Sequence, residues 1–187
     1  MELSERFLNA FTYAFEIHKE PRKGTQIPYI SHLIGVAAIV LEQGGTEDEA
    51  IAAILHDAVE DKGGKERLED IRSKFGGRVA AIVDGCTDSY TDPKPPWRPR
   101  KERYIAHLPE SDPSVRLVSA ADKLHNARLI LEHYRDVGDK LWDRFKGGKE
   151  GTLWYYRTLV KIFQENGPIK LANELDRVVS ELEQLAQ

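Results

Sequence analysis

Apolar residues recur at intervals of three and four along nearly the whole chain, and no stretch alternates apolar and polar residues as a half-buried strand would. Glycine pairs at Gly44-Gly45, Gly63-Gly64 and Gly147-Gly148 interrupt this pattern and separate one predicted helix from the next. Such a chain buries its apolar stripes by packing helix against helix. The sequence therefore predicts an all-α helical bundle, and its 187 residues fit a single domain, 1–187.

Caps and breakers set the predicted helix boundaries. Thr46 with Glu49 predicts a capping box, and Asp112 before Pro113 predicts an N-cap with proline in the first turn. The proline-rich segment from Asp88 to Arg100 is interpreted as a loop. The predicted helices cover about 4–19, 31–43, a third that ends at about 61, 65–74, 77–88, 100–108 and 113–134, with further helices on either side of Asn166-Gly167-Pro168.

Charge and cysteine content narrow the classes of protein. The net charge of −4 argues against duplex nucleic acid as a partner, since such binding depends mainly on neutralised phosphates. Cys86 is the only cysteine, which excludes an internal disulfide and a cysteine-based zinc site and favours a reducing compartment. The first residues carry acids where a signal peptide carries bases, and no apolar run approaches the roughly 20 residues of a membrane span. We expect a cytoplasmic protein that is not bound to membranes.

Two polar residues stand on predicted apolar stripes. Asp122 shares its helix face with Val115, Val118 and Leu129, and His32 also lies on a largely apolar face. A buried carboxylate needs an ion pair, hydrogen bonds or a metal ion. An ordinary buried ion pair or cap remains an alternative for Asp122, and a hydrogen-bonded core histidine remains one for His32.

The third predicted helix carries His56, Asp57, Glu60 and Asp61 together on the side opposite its apolar face. Taken alone, this could be a solvated face near a helix end. Together with the two buried polar residues, it could instead complete a metal site, because imidazole and carboxylate ligands suit manganese, iron or zinc. Three or four protein ligands would leave positions open for water and a substrate oxygen.

These residues carry a resemblance to a known family. His32, His56-Asp57 and Asp122, in that order, resemble the H…HD…D signature of the HD superfamily of metal-dependent phosphohydrolases. The surrounding motifs resemble the hydrolase domain of the RelA/SpoT proteins, over about residues 8–165. These motifs are Arg22-Lys23-Gly24, Pro28-Tyr29-Ile30-Ser31-His32, His56-Asp57-Ala58-Val59-Glu60-Asp61, Val83-Asp84-Gly85-Cys86-Thr87-Asp88 and Ala121-Asp122-Lys123-Leu124-His125-Asn126. One departure is Leu33, where the family commonly has proline.

The resemblance implies an HD-type fold and a stand-alone small alarmone hydrolase that removes the 3′-pyrophosphate of ppGpp or pppGpp. It implies that the four HD residues hold one divalent cation, Mn²⁺ with Zn²⁺ or Fe²⁺ as alternatives. Glu60 and Asp61 are expected to orient the attacking water and move its proton. Substrate contacts are expected from Arg22, Lys23, Asn126 and Arg103; no role is assigned to His18.

Several alternatives stay open at this point. Another phosphorylated nucleotide could be the substrate, such as ppApp, the 2′-phosphate of NADPH or a nucleoside monophosphate. A non-catalytic nucleotide-sensing HD module and a helical interaction domain without metal are the other classes considered. A homo-oligomer is compatible with the sequence.

Overall fold

The computed structural model describes residues 2–187, and these form helices joined by short connections. Short 3₁₀ helices cover Leu108–Glu110 and Gly138–Arg144. Within residues 2–187 no strand occurs, only one isolated antiparallel bridge between Pro21 and Pro28. The all-α prediction is confirmed. The α-helices are α1 (Glu5–Ile17), α2 (Ile30–Glu42), α3 (Glu47–Leu55), α4 (Ala58–Asp61), α5 (Gly64–Phe75), α6 (Gly77–Cys86), α7 (Trp97–His107), α8 (Pro113–Val137), α9 (Gly148–Asn166) and α10 (Ile169–Leu185).

The chain divides into two compact units, of which the first ends at Lys94 and the second begins at Pro95. In the first unit, α1, α2 and α6 all pack against α3. Every residue from Ala50 to Leu55 is buried, as expected for a helix enclosed by others. In the second unit, α10 packs along both α8 and α9. The prediction of a single domain stays a prediction.

Both predicted helix starts are confirmed. The Thr46 side chain accepts a hydrogen bond from the Glu49 backbone N–H, and the Glu49 carboxylate accepts one from the Thr46 N–H at 2.6 Å, which completes the capping box of α3. Asp112 caps α8 by accepting from the Ser114 N–H at 2.8 Å. Gly45 lets α2 and α3 approach, because a Cβ there would lie 2.6 Å from the Val40 side chain.

The third predicted helix is wrong in one respect, because it does not continue to Asp61. α3 ends at Leu55, and α4 begins at Ala58 after a turn at His56 and Asp57. The His56 Nδ1–H donates to the Ala53 carbonyl at 2.8 Å. In a continuous helix that carbonyl would accept from the Asp57 N–H, so a side chain competes here with the backbone ladder.

The proline-rich segment was predicted as a loop up to Arg100, but α7 already begins at Trp97. The Trp97 indole packs where Gly147 and Gly151 leave room, since a Cβ on either glycine would lie 2.7 Å or 3.2 Å from the ring. Packing inside the second unit therefore fixes this aromatic residue.

Between residues 2 and 187, no helix combines the length and the apolar character that crossing a bilayer requires.

Candidate metal centre

Three potential metal ligands converge in the first unit. His32 and His56 each offer a ring nitrogen and Asp57 offers a carboxylate oxygen, and these atoms all lie within 4.8 Å of one another. The two histidines are buried, with 1% and 4% of their surface exposed, whereas the Asp57 side chain keeps 21%. His32 comes from α2, and the other two come from the turn after α3. The predicted grouping of these three residues is thus observed.

The orientation of His56 is fixed by its backbone contact. Because Nδ1–H donates to Ala53, Nε2 is the ring nitrogen left to meet Asp57, and it lies 3.2 Å from Asp57 Oδ2. His32 Nε2 lies 3.5 Å from the same oxygen. The sequence suggested a solvated face for His56, and burial makes that alternative wrong.

Asp57 is ionised in this setting. Burial opposes its charge, but the His56 and His32 rings beside it hold the pKa of the carboxyl well below its usual range. The Tyr29 hydroxyl also donates to Asp57 Oδ2 at 2.7 Å and reaches Asp61 Oδ2 at 3.2 Å. Tyr29 therefore links the three-residue cluster to one of the predicted catalytic carboxylates.

Glu60 and Asp61 share one ammonium group. Lys94 Nζ lies 2.7 Å from Glu60 Oε1 and 2.7 Å from Asp61 Oδ1. Partial burial alone would lower the pKa of Lys94, but the two carboxylates raise it above its usual range. The sequence-based interpretation missed Lys94. Its place between Pro93 and Pro95 was the only available signal, and its pairing depends on tertiary contacts.

His18, to which the sequence assigned no role, packs against Tyr29. The buried His18 ring stacks on Tyr29, with centroids 4.6 Å apart and planes 13° from parallel. Glu20 connects His18 to Lys62, the residue that follows α4, because the Glu20 carboxylate lies 3.2 Å from His18 Nδ1 and 2.8 Å from Lys62 Nζ. Burial opposes the charge of Glu20, but these partners lower its pKa to about 2.

Asp122 lies on α8 in the second unit and is buried, with 5% of its surface exposed. The Asn126 amide donates to its Oδ1 at 2.5 Å, and Lys123 pairs with its Oδ2. Burial opposes the charge of Lys123, but Asp122 raises its pKa well above the usual value. The ion pair expected as the alternative for Asp122 is thus present, while its role as fourth ligand stays a prediction, as does the contact of Asn126 with substrate.

The predicted cationic substrate contacts occupy two places. Arg22 and Lys23 belong to the loop between α1 and α2, which is closed by hydrogen bonds from the Tyr29 N–H to Glu20 O at 3.1 Å and from the Arg22 N–H to Ile27 O at 2.8 Å. Arg103 is exposed on α7 in the second unit. Their contacts with substrate stay predictions.

The donor set fits a first-row divalent cation. Nε2 of His56 and Nε2 of His32 both face the Asp57 carboxylate, at 3.2 Å and 3.5 Å, so a divalent cation between them would be held by all three groups. Two imidazoles and one carboxylate are ligands that manganese, iron and zinc accept, and three protein ligands leave positions for water and substrate.

Comparison with known proteins agrees with this chemistry. The chain matches the HD domain family over residues 10–152. It is 41% identical over 125 residues to the guanosine-3′,5′-bis(diphosphate) 3′-pyrophosphohydrolase MESH1 of Xenopus tropicalis, covering 65% of this chain and 67% of the relative. It is 38% identical over 129 residues to MESH1 of Homo sapiens, covering 66% and 68%.

A solved structure shares the fold along nearly the whole chain. It is a metazoan ortholog of SpoT, described as hydrolysing ppGpp and acting in starvation responses. The TM-score is 0.77 at 24% identity, covering 97% of this chain and 98% of the other. The chain therefore belongs to the HD domain family and is related to the MESH1 pyrophosphohydrolases.

Proposed function

We propose that this protein is a metal-dependent phosphohydrolase that removes the 3′-pyrophosphate of guanosine-3′,5′-bis(diphosphate). The observation that carries the proposal is the convergence of His32, His56 and Asp57, with Glu60 and Asp61 directly following on α4. The MESH1 relatives are named for this reaction, which supplies the substrate class.

His32, His56 and Asp57 would hold the cation, and we propose Asp122 as the fourth ligand and Mn²⁺ as the metal on the strength of the family resemblance. A bound divalent cation supplies Lewis acidity, which polarises a phosphoryl oxygen and lowers the pKa of water. Fe²⁺ and Zn²⁺ are the alternatives to Mn²⁺ at this site, because both also bind imidazole nitrogen.

Glu60 and Asp61 would act on the attacking water. The water oxygen forms a bond to the phosphorus attached to the 3′-oxygen, the bond between that phosphorus and the 3′-oxygen breaks, and pyrophosphate is released. A carboxylate accepts the proton of the water, and the 3′-oxygen takes up a proton. The Lys94 ammonium donates to both carboxylates and so fixes the positions from which they would act.

A substrate with several phosphates must approach this acidic region against charge repulsion. Arg22, Lys23 and Arg103 are the proposed counter-charges, because guanidinium and ammonium groups bind phosphate oxygens strongly. Asn126 is proposed as a further substrate contact. Its bond to Asp122 would then also orient the amide.

We further propose that the enzyme works in the cytoplasm. Cys86 is the single cysteine of the sequence, so the chain holds no internal disulfide, as is typical of proteins from reducing compartments. The proposed partner is a phosphorylated nucleotide rather than duplex nucleic acid or a membrane.

The test combines hydrolysis with metal binding. Wild-type protein with Mn²⁺ should convert guanosine-3′,5′-bis(diphosphate) to GDP and pyrophosphate. Glu60→Gln should retain Mn²⁺ and lose on the order of 10²–10⁴-fold in kcat, the usual contribution of a positioned acid–base group. Asp57→Asn should lose both Mn²⁺ binding and turnover, whereas Glu69→Gln, at a side chain that is 68% exposed, should match wild type.

Substrate choice needs its own comparison. Values of kcat/KM for ppApp, NADPH and nucleoside monophosphates should fall below that for guanosine-3′,5′-bis(diphosphate). A higher value for one of these would replace the proposed substrate within the same chemistry. Full activity of Asp57→Asn would overturn the proposed metal site, and Mn²⁺ binding without any turnover would favour a nucleotide-sensing module.

A further inference from the structure

Tyr29 is half-buried, and its hydroxyl reaches the proposed metal site. Its hydroxyl donates to Asp57 Oδ2 at 2.7 Å and lies 3.2 Å from Asp61 Oδ2. His32 Nε2 approaches that same Asp57 oxygen at 3.5 Å and His56 Nε2 at 3.2 Å. One phenol thus bridges a predicted metal ligand and a predicted water-orienting carboxylate.

The position of that phenol is set from two sides. On one face the His18 ring stacks on it at 4.6 Å, and on its edge the His32 ring meets it at 6.0 Å and 87°. The Tyr29 backbone N–H is tied to the Glu20 carbonyl at 3.1 Å, which closes the loop between α1 and α2. Ring and backbone are therefore both restrained.

A histidine is unusual at the buried position of residue 18 if its only role is to pack against its neighbours. His18 is 3% exposed, and within residues 2–187 its Nε2 finds no hydrogen-bond partner. A buried polar atom without a partner costs on the order of 1–3 kcal/mol, which an apolar ring would avoid. The other nitrogen, Nδ1, lies 3.2 Å from Glu20, whose carboxylate also pairs with Lys62. The imidazole thus joins the stacked phenol to the residue that follows Asp61.

We propose that Tyr29 and His18 form a positioning pair. The Tyr29 hydroxyl orients the Asp57 carboxylate toward the metal and holds the Asp61 carboxylate beside it. His18 fixes the position of the Tyr29 ring. This inference rests on the proposed metal site and adds two residues to it. Hydrogen-bond partners of metal ligands fix ligand orientation and basicity, and their loss typically costs about 10–100-fold in metal affinity.

The first experiment removes the hydroxyl alone. Tyr29→Phe keeps the ring and its stack on His18, so the fold measured by circular dichroism should be unchanged. Its Mn²⁺ dissociation constant, measured by calorimetry, should rise by roughly 10–100-fold. At saturating Mn²⁺ its kcat should stay below that of wild type while KM is unchanged, since Asp61 has also lost a partner.

Tyr13 offers a matched control in the same unit. Its hydroxyl donates to Asp70 at 2.5 Å and accepts from Arg67 at 2.6 Å, and neither partner belongs to the three-residue cluster. Tyr13→Phe removes a tyrosine–aspartate hydrogen bond of the same kind, so it should lower thermal stability and leave the Mn²⁺ dissociation constant within about twofold of wild type, the scatter expected between uncoupled sites.

A double-mutant cycle tests the part assigned to His18. His18→Leu should weaken Mn²⁺ binding in the wild-type background but add no further loss in the Tyr29→Phe background, because its effect passes through the hydroxyl. Residues that merely pack would reduce stability in both backgrounds and leave affinity alone. If His18→Leu does not fold, His18→Gln, which keeps a donor for Glu20, enters the same cycle.

The outcomes separate this inference from the proposed function. A wild-type protein that binds no Mn²⁺ would contradict the function itself. A wild-type protein that binds Mn²⁺ and hydrolyses substrate, with Tyr29→Phe equal to it in affinity and kcat, would overturn the positioning role only. Equal losses from His18→Leu in both backgrounds would remove His18 from the pair.

Discussion

At the scale of single residues, the polar network of the first unit is organised around charges that are shared between several groups. Asp57 Oδ2 faces two imidazoles and one phenol, and Lys94 serves two carboxylates. Because each charge has more than one partner, removing a single side chain leaves other groups uncompensated. We therefore expect strongly non-additive effects among neighbouring substitutions.

Glu20 gives a prediction on pH dependence. Its pKa is about 2 in the folded protein and about 4.5 when unperturbed, so its ionised form stabilises the fold above pH 4.5. That contribution is lost as the pH falls from about 4.5 towards 2. Glu20→Gln should therefore lower the free energy of unfolding at pH 6, and the difference from wild type should shrink at pH 3.5. Urea unfolding at the two pH values measures both quantities.

Glu16→Gln is a suitable control, since Glu16 is an exposed acid on α1 for which the structure shows no ion pair within residues 2–187. It should change little at either pH. A Glu20→Gln deficit of the same size at both values would show that Glu20 acts by packing rather than by charge.

The residues at the site differ in how much of their role could be predicted from the sequence around them. His32, His56 and Asp57 were predictable because their types and spacing match a metal-binding pattern. Lys94 and His18 were not, because their partners are set by how separate helices and a loop pack. The role of the Tyr29 hydroxyl likewise required coordinates, although the residue belonged to a recognised motif.

At the scale of elements, helix boundaries were predictable where glycine, proline or a capping residue sets them. The capping box of α3 and the N-cap of α8 are examples. The turn between α3 and α4 contains neither glycine nor proline, and it follows instead from the His56 side chain bonding to Ala53. The early start of α7 depends on tertiary packing of Trp97, which no local pattern shows.

Packing of Trp97 leads to a prediction about Gly147. This glycine has an ordinary backbone conformation, with φ of −84°, so only steric overlap opposes a side chain there. Gly147→Ala would place a Cβ 2.7 Å from the indole and should cost about 1–3 kcal/mol, as overpacking does. Urea unfolding monitored by tryptophan fluorescence measures the loss.

Gly77→Ala is the matched control, because a Cβ there meets only the Arg72 guanidinium, at 4.0 Å. It should be neutral or stabilise by about 0.4–1 kcal/mol through reduced freedom of the unfolded chain. If both variants behave alike, the indole is free to move aside, and the packing account of α7 fails.

At the scale of the whole molecule, the predicted ligand set draws on both compact units. His32, His56 and Asp57 belong to the first unit, whereas Asp122 belongs to the second. The resemblance assigns all four to one cation, and the sequence order H…HD…D carries that assignment. Metal binding is linked to stability because a ligand that binds only the folded state stabilises it by mass action.

This linkage gives a test of Asp122. Mn²⁺ at 100 times its dissociation constant should stabilise the wild type by about 2.7 kcal/mol, which for a chain of this length corresponds to a rise in Tm of about 5–10 °C. Asp122→Asn also leaves the buried Lys123 ammonium without its counter-charge, so the variant should already be less stable without metal. The informative quantity is therefore the Mn²⁺-induced rise in Tm and not Tm itself.

That rise should vanish in Asp122→Asn and persist in Asp112→Asn, since asparagine caps α8 as well as aspartate does. A full rise in Asp122→Asn would assign the carboxylate to its ion pair with Lys123 and leave the cation to the three residues of the first unit.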